Sequence, residues 1–287
     1  MSPANNPIPV ACAVPQNQFP ASYYHVNYKA LRVSYLPELE GGGMTFGQQY
    51  LQVVRERLGP VDHVFEFCAG PGFIGFSLLA HSLCKKLTLA DINPAAVAAC
   101  CATIRDNHLE DRVTVYESDG LDGIPETEKW DLVVSNPPHW PGDEAAYRRN
   151  IRRVDPGFVI HQKFYRDVRK HLKPGAAVIF QENGRATRKE EFLPLIEQNG
   201  LELVDVFVAG QEPRRGTGTR RSARGFALFH RLMGPVERFL LIPGVERFLK
   251  DNNAYRRLQK LQLLMPSPFY FIWSRPAGDR PQRQPPG

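Results

Sequence analysis

The chain has 287 residues, of which 43% are hydrophobic and 23% charged, and it carries a formal net charge of +6. This length is within reach of one large α/β domain, and the mild basic excess favours an acidic partner but is too small for a histone-like tail. The five cysteines show no C-x-x-C spacing, which argues against a disulfide framework and against a metal site. The start of the chain does not resemble a signal peptide, and no uncharged apolar run approaches the ~18 residues of a membrane-spanning helix. We therefore expect a soluble cytoplasmic protein without a transmembrane segment.

Short apolar runs alternate with segments of helical periodicity along most of the chain. Because the strand runs show little polar alternation and are separated by helices, they predict a parallel sheet covered on both faces. The predicted fold is doubly wound α/β, with a mostly parallel, seven-stranded, Rossmann-like sheet. The first six strands are predicted over residues 63–67, 87–90, 112–116, 131–135, 177–181 and 203–208. The helices are predicted over residues 46–58, 73–81, 94–106, 159–172 and 189–199.

Both ends and one internal segment depart from this pattern. Residues 1–22 are rich in Pro and Asn, and residues 275–287 in Pro and Arg, which indicates an irregular arm and a disordered tail. Residues 211–265 combine an arginine-rich loop with Phe- and Leu-rich helical turns, and we interpret them as a basic, helical insertion before a last strand in 266–274. The alternative places the last strand in 225–230 and leaves a helical appendage. The insertion could be a substrate-covering lid, a dimerisation element or a membrane-surface contact.

The most informative local motif is VFEFCAGPGFIGFSLL. A predicted strand runs into Gly70-x-Gly72-x-x-Gly75 and then into a helix. The first glycine allows a tight turn, the second lets a ligand approach the backbone, and the third permits close packing of helix on strand. Asp91 ends the next apolar strand, about 20 residues on, where a carboxylate can bind the hydroxyls of a ribose. Together these features predict a nucleoside cofactor at the N-terminus of the helix.

Glu66, four residues before the first glycine, suits a cofactor that carries a cation rather than a pyrophosphate. With EFCAGPG, ADINP, ESDGL and SNPPH in this order, the chain resembles class I S-adenosylmethionine (SAM)-dependent methyltransferases of the small-domain type, related to enzymes that methylate glutamine amides and RNA guanines. The resemblance implies SAM as cofactor, a lead-in and cofactor lid in residues 23–60, and a SAM-binding core in residues 61–210. It also implies that the cofactor is bound by Glu66, Cys68, Ala69, Gly70, Gly72, Asp91, Ile92, Asn93, Asp119, Gly120 and Asn136.

The fourth motif, SNPPHW, predicts the reaction. In the family that the chain resembles, Asn-Pro-Pro-(aromatic) occurs in enzymes that methylate planar nitrogens. The Asn136 side-chain oxygen and the Pro137 carbonyl can accept hydrogen bonds from one NH₂ group, and the two prolines stiffen that geometry. His139 stands where Tyr or Phe is usual, and its ring can stack on a flat substrate or handle a proton. The predicted catalytic residues are Asn136, Pro137, Pro138 and His139.

The sequence defines the substrate less closely than the cofactor. Candidates for substrate contact are Tyr24, His25, Trp140, Glu182 and Asn183. An RNA or ribosome-associated target is favoured by the arginine-rich segment 148–153 and by a second cluster whose side chains could follow phosphates, formed by Arg214, Arg215, Arg220, Arg221 and Arg224. The Phe- and Leu-rich part of the insertion favours a small biosynthetic metabolite instead. His161 and His171, on a predicted helix, are expected to be surface or packing residues.

Two other classes of function share part of the pattern. An NAD-type Rossmann oxidoreductase would have the glycine motif and the distant acid, but Asn-Pro-Pro after the fourth strand and Glu66 before the glycines argue against it. A non-catalytic SAM-binding module is disfavoured because the glycines and the acceptor residues are all present. The oligomeric state is left open by the sequence.

Overall fold

A computed structural model of the chain describes residues 23–39, 43–209 and 269–278. The strands in these ranges are β1 (Tyr24–Tyr28), β2 (Leu31–Tyr35), β3 (Val61–Phe67), β4 (Cys84–Asp91), β5 (Val113–Glu117), β6 (Trp130–Ser135), β7 (Leu172–Asn183), β8 (Leu201–Phe207) and β9 (Phe269–Pro276). The helices are α1 (Gly43–Arg57), α2 (Phe73–Ala80), α3 (Pro94–Asp106), α4 (Glu144–Arg149), α5 (Val159–Val168) and α6 (Lys189–Gln198). The chain divides into two units, residues 1–210 with 268–287 and residues 211–267, and every described residue belongs to the first.

Seven strands form one sheet in the order β5-β4-β3-β6-β7-β9-β8. β9 runs antiparallel to both of its neighbours, and the other pairs of adjacent strands are parallel. The predicted doubly wound, mostly parallel, seven-stranded sheet is therefore confirmed. From β3 the chain first adds β4 and β5 on one side and then crosses to β6 on the other, and such a reversal of strand order is where open α/β sheets bind ligands.

The register of β3 and β6 brings two sequence motifs together. Phe67, the last residue of β3, pairs with Ser135, the last residue of β6. The glycine turn and the Asn-Pro-Pro-His segment therefore leave the sheet side by side at its carboxyl edge. Both strands are buried on both faces, as Val64, Phe65 and Val133 show with no exposed surface, which explains why their sequences lack polar alternation.

The observed helices and strands overlap every predicted core element, with differences at their ends. β7 begins at Leu172, earlier than predicted, and the helix predicted over 159–172 ends at Val168 and continues as a 3-10 turn to His171. The favoured last strand is confirmed as β9. The disordered tail was predicted over 275–287, but β9 continues to Pro276, so the start of the tail is ordered strand. Residues 279–287 lie outside the described residues, as do the predicted arm 1–22, the insertion 211–265 and the alternative strand over 225–230.

Two elements were not predicted, the hairpin β1–β2 and the short helix α4. The hairpin packs on α3, where Ser34 N donates to Thr103 Oγ1 at 2.9 Å and Arg32 N donates to Asn107 Oδ1 at 2.9 Å. No helix among the described residues is long and apolar enough to cross a membrane.

Candidate functional site

A cleft with a volume of about 140 Å³ opens at the carboxyl edge of the sheet, where the turns after β3, β4, β5 and β6 meet. The structure brings together at this cleft most of the residues that the sequence assigns to the cofactor. Those that line it are Glu66, Cys68, Ala69, Gly70, Asp91, Ile92, Asn93, Asp119, Gly120 and Asn136. Gly72 is not among the lining residues, because it begins α2 behind the turn.

The glycine turn forms as the sequence predicts, but the glycine that is open to a ligand is Gly70 and not Gly72, where a Cβ would lie 2.8 Å from the Phe76 ring. Gly70 and Gly72 have φ angles of 53° and 78°, in the left-handed region that favours glycine. A Cβ on Gly75 would lie 2.5 Å from the Leu87 side chain, so the third glycine lets α2 pack closely on the sheet. A Cβ on Gly70 would meet no atom closer than 3.9 Å. This part of the turn is therefore open, and a ligand can approach its backbone.

Glu66 is buried beneath the N-terminus of α2. Its Oε2 accepts a hydrogen bond from Gly75 N at 2.6 Å, and its Oε1 accepts one from Ile74 N at 3.3 Å. Burial raises the pKa of the Glu66 carboxyl to about 8, although these backbone hydrogen bonds favour the charged form. The carboxyl is therefore largely protonated at neutral pH, and a cation in the cleft would favour its ionisation.

Asp91 clamps the glycine turn to the end of β4. Its Oδ2 accepts from Gly70 N at 2.7 Å, and its Oδ1 accepts from Asn93 N at 2.8 Å. Burial raises the pKa of this carboxyl, against the effect of its hydrogen bonds to backbone amides. Each carboxylate oxygen can accept more than one hydrogen bond, so Asp91 can hold the turn and still accept from a ligand hydroxyl. Ile92, beside it, is 44% exposed.

The far end of the cleft contains a charged pair that the sequence did not indicate. Asp119 Oδ2 lies 2.6 Å from Lys163 Nζ on α5, and the Asp119 side chain is 54% exposed. Tyr147, on α4, lines the cleft with Asp119. Any acceptor role of Asp119 is therefore shared with its lysine. No local sequence pattern pairs two residues 44 positions apart.

The backbone just before Asn136 is fixed by hydrogen bonds, whereas Asn136 itself lines the cleft. Ser135 Oγ donates to Phe67 O at 2.7 Å, and the Tyr50 hydroxyl lies 2.6 Å from Ser135 O and 2.9 Å from Ile179 O. Asn136 and Pro138 line the cleft. The Asn136 Oδ1 atom is buried and has no hydrogen-bond partner among the described residues. Because buried polar atoms are rarely left unpaired, this oxygen is available to accept from a ligand.

The residues that follow are bound to a neighbouring stretch of backbone. His139 N and Trp140 N donate to Arg153 O at 3.1 and 2.7 Å, and Asp155 N donates to Trp140 O at 2.9 Å. The Arg153 guanidinium also lies over the Trp140 ring, 5.1 Å from its centroid. We call residues 136–140 the acceptor loop. Neither His139 nor Trp140 lines the cleft, although His139 directly follows Pro138, which does.

His139 lies behind the acceptor loop rather than in the cleft. It is 8% exposed, and its ring meets the ring of Phe269 edge-on, with 6.4 Å between centroids. Burial lowers the pKa of His139. The ring is therefore neutral at neutral pH.

Three buried ionisable residues lie next to the acceptor loop, and the sequence did not predict them as a group. His161 Nδ1 is 2.7 Å from Asp155 Oδ2, and His161 Nε2 is 2.9 Å from Glu182 Oε1, with no side-chain surface exposed in any of the three. Burial opposes a charge on His161, but the two carboxylates outweigh it and raise its pKa to about 9. The expectation of a surface or packing residue holds for His161 as packing, since its ring lies 4.6 Å from that of Phe192, but it did not include the two carboxylate partners. It is confirmed for His171, which is buried and stacks on Trp130 with 4.7 Å between ring centroids.

The structure does not bring the candidates for substrate contact to the cleft. Tyr24 is 60% exposed, and His25 Nδ1 lies 3.2 Å from Ser34 Oγ across the hairpin. Glu182 is fully buried against His161. Asn183 Oδ1 accepts from Arg185 N at 3.0 Å, in the turn after β7. The five arginines of residues 214–224 lie outside the described residues.

The strand order, the glycine turn clamped by Asp91 and the neighbouring acceptor loop define a class of protein, the class I SAM-dependent methyltransferases. Residues 48–184 match the sequence model of the family described as "Methyltransferase small domain". This part of the chain, just under half of it, is therefore similar to that family, and SAM is the cofactor of the class.

Curated relatives carry methyltransferase names. The chain is 30% identical over 129 residues to a release factor glutamine methyltransferase from Clostridium acetobutylicum, covering 41% of this chain and 45% of the relative. It is 35% identical over 89 residues to a ribosomal RNA small subunit methyltransferase C from Pseudomonas entomophila, covering 31% of this chain and 26% of the relative. The chain thus spans about half or less of the length of these relatives.

Among solved structures, the fold is similar to that of a T. thermophilus 16S rRNA N2 guanine-site methyltransferase in complex with AdoMet and guanosine. The match has a TM-score of 0.45 and 13% sequence identity, and it covers 63% of this chain and 47% of that one.

The cleft fits the cofactor of the class. SAM carries positive charge and a nucleoside but no phosphate, and the cleft offers the carboxyl groups of Glu66 and Asp91 at the glycine turn. The Gly70 backbone is open to close approach, and Asn136 supplies an unpaired acceptor. A dinucleotide pyrophosphate would meet two carboxyl groups at the same turn.

Proposed function

We propose that the protein transfers a methyl group from SAM to a planar nitrogen, either an amide or an exocyclic amine, held by the acceptor loop. The observation that carries this proposal is the buried Asn136 Oδ1 atom, which lacks a partner beside the cleft. Together with the Pro137 carbonyl it can accept both hydrogens of one NH₂ group. Such a pair recognises a planar NH₂ group and would leave a hydroxyl substrate with one acceptor unpaired.

Different residues of the cleft would bind different parts of the cofactor. Glu66 and the turn at Gly70 would hold the methionine portion, and Asp91 would accept from the ribose hydroxyls with Ile92 beside the adenine. Asp119 would accept from the adenine amine while paired with Lys163. Bound in this way, SAM supplies an electrophilic methyl group. Support for these roles comes from the lining residues and from the open backbone at Gly70.

The chain's own contribution to the reaction would be alignment. The lone pair of a planar nitrogen is delocalised, and two fixed acceptors on its hydrogens orient it and draw charge back onto it. Pro137 and Pro138 fix the backbone that presents these acceptors. Correct placement of reacting groups is one of the largest contributions that an active site makes. The proton is then lost from a cationic product, so no strong base is required before the transfer.

His139 would support the loop instead of stacking on the substrate. Its ring is buried beside Phe269 and does not line the cleft. Burial lowers the pKa of His139 and so opposes the other role that the sequence allows, uptake of a proton after the transfer. His139→Phe separates these roles, since a phenyl ring keeps the packing but cannot bind a proton.

A target in the translation machinery is the best-supported substrate class. Relatives are named for release factors, for ribosomal RNA and, in another case, for ribosomal protein uL3. Arg148, Arg149, Arg152 and Arg153 are exposed beside the acceptor loop, and Arg152 lines the cleft. Basic side chains at this place suit an acidic target such as RNA. Sequence alone adds the arginines of residues 214–224, and such a target places the protein in the cytoplasm.

The test is incubation of the protein with methyl-labelled SAM and extract separated into ribosomes, RNA, protein and small molecules. Label in the ribosomal, RNA or protein fraction, on nitrogen after hydrolysis, supports the proposal. Label only in the small-molecule fraction would replace the target class with a metabolite. Label on oxygen or carbon would refute N-methylation.

Two control experiments address the other classes of function. A thermal shift with NADH but none with S-adenosylhomocysteine would favour an oxidoreductase. A shift with S-adenosylhomocysteine, but no labelled product in any fraction, would favour a non-catalytic SAM-binding module.

A further inference from the structure

We propose that Asp155, His161 and Glu182 form a positioning network that fixes the acceptor loop relative to the cofactor cleft. The network consists of two carboxylates on either side of one imidazole, and all three side chains are fully buried. Its effect on turnover rests on the proposed function, whereas its effect on the conformation of the loop does not.

The first contacts of the network hold the segment that follows the acceptor loop. Asp155 Oδ1 accepts from Ile160 N at 2.9 Å, and Asp155 Oδ2 faces His161 Nδ1 at 2.7 Å. The backbone of Asp155 donates to Trp140 O. One residue therefore contacts both the start of α5 and the end of the acceptor loop. A displacement of Asp155 would move Trp140 and the loop with it.

The other side of the network is fixed to the sheet. Glu182 lies near the end of β7, and its Oε1 faces His161 Nε2 at 2.9 Å. Its Oε2 accepts from Thr187 Oγ1 at 3.3 Å, and that hydroxyl also contacts Tyr270 OH on β9 at 3.1 Å. The loop is thus linked, through an uninterrupted series of hydrogen bonds, to the neighbouring strands β7 and β9.

Stability alone does not account for this arrangement. Buried ions lose their hydration, and well-packed apolar residues of similar size often stabilise a fold equally well or better. Directional contacts do what apolar packing does not, which is to fix one orientation of the groups they join. The location of the network supports a positioning role, because Ile160, next to His161, lines the same cleft as Asn136 and Pro138.

Trp140 provides a readout that does not depend on activity. The chain contains three tryptophans, so protein labelled with fluorotryptophan gives a simple fluorine NMR spectrum, and Trp140→Phe assigns the resonance of the loop. The first substitution is Glu182→Gln, which keeps the size of the side chain and removes its charge. The second is Thr187→Val, which is nearly isosteric and leaves all three ionisable groups in place.

The control is Asp205→Asn. Asp205 Oδ2 pairs with Arg57 NH1 at 2.9 Å, on strand β8 and outside the residues that line the cleft. The substitution removes one carboxylate from a partly buried ion pair and leaves the network unchanged. Any general effect of lost charge on the spectrum or on turnover appears in this variant as well.

We expect Glu182→Gln to shift or broaden the Trp140 resonance and to lower kcat by about tenfold or more, since misplacement by ~1 Å can cost about 100-fold. The KM for SAM and the affinity for S-adenosylhomocysteine should stay within about threefold. Thr187→Val should shift the same resonance less, and Asp205→Asn should leave it unchanged.

A wild-type Trp140 resonance in folded Glu182→Gln and Thr187→Val would overturn the proposal. So would failure of both variants to fold, because the network would then belong to the folding core. If the resonance shifts as expected but Asn136→Ala keeps full turnover, the network stands and the proposed function fails.

Discussion

The amide of Gly75 donates to the Glu66 carboxyl across 2.6 Å, and this contact joins the start of α2 to the floor of the cofactor cleft. It places a buried acid at the cleft, where the proposed function has Glu66 beside the methionine portion of the cofactor. Burial raises the pKa of Glu66 to about 8, so the protonation state of the cleft changes close to neutral pH.

The first prediction concerns the pH dependence of cofactor binding. A cationic ligand favours ionised Glu66, so binding releases a proton, and affinity for S-adenosylhomocysteine should rise as the pH is raised from 6 towards about 8. Calorimetry at several pH values, in buffers of different ionisation enthalpy, measures both the affinity and the proton release. Glu66→Gln should flatten the dependence. Proton uptake on binding would contradict the assignment.

The same group predicts the opposite trend for the stability of the ligand-free protein. A raised folded-state pKa means that the stabilising contribution is complete below the unfolded value near 4.5 and is lost as the pH rises through about 8. The difference in Tm between wild type and Glu66→Gln should therefore become less favourable to wild type from pH 5 to pH 8. A constant difference across this range would show that Glu66 titrates normally.

His161 is another buried group with a raised pKa; it is faced by Asp155 and Glu182 and, more distantly, by His139. Its contribution should be complete below pH 6.5 and lost as the pH rises through about 9. In denaturant titrations, the stability advantage of wild type over His161→Gln should shrink from pH 6 to pH 9.5. The advantage would instead grow with pH if His161 were neutral in the folded protein.

Alanine substitutions at Gly75 and Gly70 should have different effects. In Gly75→Ala the new Cβ would lie 2.5 Å from Leu87 and 2.8 Å from Glu66, and such overpacking costs about 1–3 kcal/mol. Gly70→Ala has open space but a φ of 53°, and it should cost about 1 kcal/mol while weakening S-adenosylhomocysteine binding through its Cβ at the cleft. Urea denaturation and calorimetry separate these effects. Equal stability losses would argue against the packing role of Gly75.

The ion pair at the rim of the cleft should contribute more to ligand affinity than to the stability of the fold. Asp119 and Lys163 are partly exposed, and exposed pairs contribute about 0–1 kcal/mol. We expect Asp119→Ala to weaken S-adenosylhomocysteine binding by about tenfold, the scale of one hydrogen bond to a charged group, with little change in Tm. Lys163→Met is the matched variant and should keep the affinity. If both substitutions weaken binding equally, the pair and not the carboxylate is the recognition element.

Strand positions could be predicted because the central strands are buried on both faces. The strands that contain Val64, Phe65 and Val133 show no alternation of polar and apolar residues. Such an apolar run between turn residues is typical of a strand in the core of a parallel sheet. The hairpin β1–β2 was harder to predict from the sequence, since its turn contains no glycine or asparagine. Lys29 takes the left-handed conformation there, with a φ of 53°. A lysine in a sequence seldom indicates this conformation. The alternation of polar and apolar residues in Tyr24–Tyr28 was its only local indication.

The cofactor residues could be proposed because they follow one another in compact motifs at strand ends. The buried network could not, because His161 is 6 and 21 positions from its two partners. One indication existed in α5, where His161 shares a buried face with Phe164, Tyr165 and Val168. A histidine on an apolar helical face indicates burial, but its partners are set by the tertiary fold alone.

Turnover of Asn136→Ala tests the central claim most directly, with Asn183→Ala as the control. Asn183 ends the neighbouring strand β7 but does not line the cleft. Transfer of labelled methyl groups to the responsive extract fraction should fall by about 100-fold or more in Asn136→Ala, the scale of one aligned hydrogen-bonding group. Affinity for S-adenosylhomocysteine should stay within a few-fold, and Asn183→Ala should retain most of its activity. Wild-type turnover in folded Asn136→Ala would contradict the assignment of the acceptor loop.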